Sequence, residues 1–142
     1  MSKGNTFEND FLKLILWGTA IANLADNAAS SPATSLYLSL HTADPGEAGD
    51  QTTNEITYTS YARVAVARTS GGFAISANVA SLNADMSFPA GTGGSGTATH
   101  FGLGTASTST GKLLWSGTVT PNIVCGNGVT PILTTGTTVS ED

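Results

Sequence analysis

Two histidines, a single cysteine and a loop holding four carboxylates are the residues of this chain whose types could support chemistry. His41 and His100 each lie in a segment of alternating apolar residues, on the face opposite the Leu or Phe positions. With a serine and an acid, either could serve as the base of a Ser-His-Asp triad. No G-x-S-x-G elbow accompanies them, and serine is so frequent that a chance pairing carries little weight. Each reads as a strand histidine with a backbone or hydroxyl partner. Cys125, in NIVCGNG, has no histidine or cation beside it in sequence to lower its pKa, and reads as a small buried side chain rather than a nucleophile. One Cys and two scattered His do not assemble the four ligands of a zinc site.

The carboxylates Asp44, Glu47, Asp50 and Glu55 stand in TADPGEAGDQTTNEITYTS with no base among them. The three-residue spacing of Asp44, Glu47 and Asp50 does not match the alternating ligands and central glycine of an EF-hand loop. GTGGSG and SGG lack the Gly-Lys-Ser/Thr that sets a lysine on phosphates, and GLGTAS opens no helical pattern. The residues therefore predict no catalytic group, no cofactor and no metal, and leave the acidic loop as a solvated patch or a surface for a basic partner.

The elements that must position these residues are mostly strands. Only residues 5–25 carry a helical period: Phe7, Phe11, Leu14, Ile15, Gly18, Ile21, Ala22 and Ala25 recur at steps of three and four. Asn5 followed by Glu8 resembles a capping box. Leu12, Leu16 and Trp17 lie partly off that stripe and are the candidates for contact with another subunit. From SLYLSLH onward the period is two, with Leu36, Leu38 and Leu40 against Tyr37, Ser39 and His41, as in a half-buried strand. YARVAVAR follows after the acidic loop at 43–60, a connection long enough to be functional. Short strand candidates then alternate with Gly, Pro and Ser/Thr turns to the end of the chain, about eight or nine in all. That spacing predicts a mainly β, antiparallel sandwich or barrel over 35–140.

Size and composition agree. At 142 residues and 14.3 kDa one domain, 1–142, is expected. Charged residues make up only 11%, against 39% hydrophobic, and Gly numbers 17. With five Lys+Arg against ten Asp+Glu, a net charge of −5 and a pI near 4.7, there is no basic field for direct nucleic-acid binding. The opening MSKGNTFEND lacks an export signal, and Leu12 to Ala25 is too interrupted to span a membrane. A lone cysteine suits synthesis in a reducing cytoplasm.

The segments LYLSLHTADPGEAGDQ, YARVAVART, SFPAGTGGSGTATHFGLGT and LLWSGTVTPNIVCGNGVTP, preceded by NTFENDFLKLI, carry a resemblance over nearly the whole chain. In that order they resemble small virion proteins of tailed bacteriophages, tail-fibre-like or head-decorating, and most nearly the cement class on the head of a short-tailed Bordetella bacteriophage. The resemblance implies a jelly-roll sandwich on the outer surface of an icosahedral head, bound to an HK97-like major capsid protein, with homodimers bridging capsomers and stabilising the shell. The interface residues it suggests are the acids Asp44, Glu47, Asp50 and Glu55, with Trp17, Tyr58 and Tyr61 as aromatic anchors. A tail or tail-fibre component, or a small receptor- or carbohydrate-binding module, is the alternative.

Overall fold

Side chains on a strand alternate between faces, so SLYLSLH sets Leu36, Leu38 and Leu40 on one side and Tyr37, Ser39 and His41 on the other. In the computed structural model, which describes residues 5–21 and 32–141, that segment is strand β1, Ser35–His41. Eight more strands follow: β2 Val64–Ala67, β3 Phe73–Ser76, β4 Val79–Leu82, β5 Met86–Ser87, β6 Ser95–Gly104, β7 Leu113–Gly126, β8 Ile132–Leu133 and β9 Thr138–Ser140. One helix, α1 over Asn5–Leu12, precedes them and widens into a π-helical turn, Lys13–Trp17. The fold is mainly β and antiparallel with an N-terminal helix, consistent with a β-sandwich. No helix among the described residues is long and apolar enough to cross a membrane.

The chain divides into two compact units. The first takes described residues up to 35, 67–85 and from 134 onward, and holds α1 with the three-stranded sheet β3-β4-β9. Regular helix stops at Trp17 rather than running to residue 25. Gly18 adopts φ +71°, a left-handed conformation that glycine takes without steric cost, and its N–H donates to Lys13 O. The residues of that expectation from 22 to 25 lie outside the described residues. Arg68 then satisfies carbonyls that the helix end leaves open: Nη2 donates to Leu14 O at 2.6 Å and Nε to Ile15 O.

The helical face that packs is not the expected one. Leu12 and Leu16 are fully buried and Glu8 is buried with them, whereas Phe7 is 44% exposed. Two rows of this short helix have the four-residue spacing of a packing face, and the row Glu8, Leu12, Leu16 is the one turned inward. Leu12 and Leu16, expected to be free for another subunit, are core. Asn9 Nδ2 donates to Ala77 O and Trp17 Nε1 to Phe73 O, both at 3.1 Å, tying the helix to β3 and to the turn after it.

The second unit, Leu36–Val66 and Met86–Leu133, holds the four-stranded sheet β2-β1-β6-β7 and the pair β5-β8. β1 and β6 pair antiparallel with Leu38 opposite Leu103, Ser39 opposite Gly102, Leu40 opposite Phe101 and His41 opposite His100. Leu38, Leu40, Phe101 and Leu103 therefore share the apolar face, and all four are buried. Tyr61 stacks on Phe88, with ring centroids 6.1 Å apart, and meets Tyr58 edge-on at 5.4 Å.

The opposite face of β1 is not solvated. Ser39 and His41 have no exposed surface, because the acidic loop folds back over them. This corrects the half-buried reading of SLYLSLH: both faces of β1 are covered, one by apolar side chains and the other by a hydrogen-bonded loop.

Candidate interaction site

The loop at 43–60 is held down at three points. His41 Nδ1 stands 2.8 Å from Thr53 O, and a carbonyl only accepts, so the proton sits on Nδ1. Nε2 is then the acceptor for Ser39 Oγ–H at 2.8 Å. Burial holds the His41 pKa below its ordinary value, against the opposing pull of Thr53 O and the Glu55 charge, so the ring is neutral. A serine beside a histidine nitrogen is the geometry of an activated nucleophile. Here both residues are sealed from solvent, and a carbonyl occupies the place of the orienting acid.

The second point is Gln51, fully buried against the backbones of Gly104 and Gly111. Its Oε1 accepts from Ala106 N at 2.9 Å, its Nε2 donates to Tyr37 O at 3.3 Å, and its own N–H donates to Gly111 O. The third point is Glu55. Arg63 grips both carboxylate oxygens in a fork, and Tyr61 OH donates to Oε1 at 2.8 Å while accepting from Leu40 N at 3.1 Å. The Arg63 side chain is 2% exposed and that of Glu55 16%. Glu55 hydrogen bonding raises the Arg63 pKa further, and burial pushes the Tyr61 phenol well above its ordinary value.

Between this anchored loop and the start of β7 lies a groove of about 440 Å³. Asp44, Gly46, Glu47 and Gly49 line one side and Leu113, Leu114, Trp115 and Ser116 the other. Asp44 accepts from Gly46 N at 2.9 Å across an Asx turn. Glu47 is exposed and, among the described residues, meets no basic side chain. An acidic wall facing a half-buried tryptophan and two leucines suits a ligand that combines positive charge with apolar surface.

The sequence-predicted residues are thus dispersed. Asp44 and Glu47 share the groove. Asp50 faces its own turn, accepting from Thr52 N at 2.7 Å and Thr52 Oγ1 at 2.6 Å, which holds its carboxyl below the usual carboxylate value. Glu55 and Tyr61 are joined, but in the internal network with Arg63. Tyr58 is buried and donates to Pro89 O at 2.8 Å. Trp17 belongs to the other unit, with the Lys13 ammonium 5.6 Å from its ring. Cys125 is buried, and burial pushes its thiol pKa up. Among the described residues no three His, Cys, Asp or Glu side chains converge as metal ligands.

Trp115, Gln51 and Arg63 escaped the sequence reading. Phe101-Gly102-Leu103-Gly104 did hold a signal, because glycine at every second position of a strand marks a face approached closely by other groups.

The fold is that of a small β-rich protein, and the match of a family model over residues 4–140 makes it a virion protein of a bacteriophage. That family is the one described as podophage GP4 fiber I protein gp80, and the chain belongs to it. No curated protein matches the chain.

Proposed function

We propose that this protein is a non-enzymatic structural component of the fibre or tail apparatus of a short-tailed phage, acting by holding neighbouring virion proteins. The observation that carries this reading is membership, over nearly the full chain, of a family described as a podophage fibre protein. The sealed Ser39–His41 pair supports it, since a buried neutral histidine serves the loop rather than a substrate.

The head-cement role implied by the sequence resemblance, with dimers bridging an HK97-like major capsid protein, is the second reading. Its support is the order of motifs along the chain. The two readings differ in stoichiometry, which is set by the symmetry of the structure being decorated. Quantitative mass spectrometry of separated heads and tails tests them. A few to some dozens of copies in the tail fraction is the expected result. Near parity with the major capsid protein in the head fraction would overturn the fibre reading and establish the cement one.

A further inference from the structure

We propose that the outer edge of β7 over Trp115–Thr118 receives an added strand from another virion protein, and that a lysine or arginine of that strand enters the groove between Trp115 and the carboxylates of Asp44 and Glu47. This deepens the structural reading above and rests on its virion setting, not on the choice between tail and head.

Among the described residues β7 is the last strand of its sheet and pairs only with β6. Its other edge presents a row of main-chain donors and acceptors, and folded proteins usually protect such an edge with charges, prolines or bulges. β7 carries no charged residue from Leu113 to Gly126. Protection falls at two places, one at its start and one in its middle. Leu114 is extra between Leu113, opposite Gly104, and Trp115, opposite Leu103; a second bulge over Val119–Asn122, holding Pro121, separates Thr118 from Ile123. The bulges bracket Trp115-Ser116-Gly117-Thr118, a regular stretch in unbroken register with His100–Leu103. An edge blocked on both sides and left open and uncharged between is suited to one short incoming strand.

The groove supplies the specificity. Its Leu113–Ser116 wall is the edge strand itself, so a strand laid along Trp115–Thr118 brings a side chain to its mouth. Among the described residues Glu47 is exposed and has no cation, and the Asp44 carboxylate bonds only to Gly46 N within its own turn, so the two present uncompensated negative charge in the groove that Trp115 lines. A lysine or arginine satisfies both, by ion pairing and by contact with the ring.

The test uses phage particles assembled with a photoreactive benzophenone amino acid in place of Ser116, which is exposed. After irradiation, the cross-linked peptide is sequenced by mass spectrometry. The expected product is a segment of another virion protein with Lys or Arg within two positions of the attachment point. Glu47→Lys should lower the yield roughly tenfold, and Glu47→Gln by less, with the melting temperature of the isolated protein unchanged. Attachment to a second copy of this chain, to a segment without a base, or to nothing would overturn the proposal. So would a yield insensitive to both Glu47 variants. Because the partner is identified whichever fraction it occupies, failure here is distinct from failure of the fibre assignment.

Discussion

A β-carbon placed on Gly104 would stand 2.2 Å from Cδ of Gln51, and one on Gly111 would stand 2.2 Å from Oε1 of the same side chain. Gln51 is fully buried and hydrogen-bonded at both ends of its amide, so it cannot swing aside. Gly104→Ala should therefore destabilise by about 1–3 kcal/mol, the usual cost of overpacking. In the double variant with Gln51→Ala the clash disappears, and the two effects should be markedly less than additive. A double-mutant cycle by urea denaturation measures this.

The forked pair of Arg63 and Glu55 joins the loop to the residue that leads into β2. Nε to Oε1 is 2.7 Å, Nη2 to Oε2 is 2.8 Å, and Nη1 donates to Ala106 O at 2.9 Å. Removing either partner leaves a charge in a site with little solvent. Glu55→Gln or Arg63→Ala should cost about 2–4 kcal/mol, below the full range for a sealed pair because Glu55 keeps some exposure. Arg63→Lys keeps the charge and loses the fork, so it should recover only part of the loss. Denaturation midpoints at neutral pH separate the three variants.

Acid should weaken the loop through His41. Its native pKa lies below the ordinary 6.5, so the unfolded chain binds the proton more readily than the folded one. Stability is fully present above pH 6.5 and declines as the pH falls from there toward the lower native value, by at most about 1.4 kcal/mol per pH unit. His41→Gln removes the titrating group and should flatten that part of the stability profile, which denaturation at a series of pH values reads directly.

Alkali should act through tyrosine. Burial pushes the Tyr58 phenol from 10.0 up to about 12. The unfolded chain releases that proton first, so the stability contributed by Tyr58 is complete below pH 10 and is lost as the pH rises toward 12. Phenolate absorbance should show delayed ionisation in the wild type. In Tyr58→Phe the part of that delayed signal due to Tyr58 should vanish.

Much of the architecture was legible because strand periodicity is local. SLYLSLH, YARVAVAR, TATHFGL and KLLWSGTV each announce a strand of the four-stranded sheet through their own residues. What covers those strands is not local. The burial of Ser39 and His41 depends on Thr53, twelve residues beyond His41, and on Gln51 reaching Gly104. The face chosen by α1 depends on β3 and β4, so a pattern with two plausible rows gave the wrong one. The four acids lie between β1 and β2, but their surroundings differ. Glu55 found Arg63 eight residues later, Asp50 turned onto Thr52, and only Asp44 and Glu47 reached the groove. Nothing local to Trp115 reveals that β7 ends the sheet.

Both compact units are assembled from separated stretches of chain, and this bears on biosynthesis. The pairing of β5 with β8 waits for Ile132 and Leu133, and that of β4 with β9 waits for Thr138–Ser140. A nascent chain emerging from the ribosome can form the local β3-β4 hairpin early, yet neither unit can close until its last strand has been made. Closure of both units therefore rests on pairings between residues far apart in the chain, which form slowly.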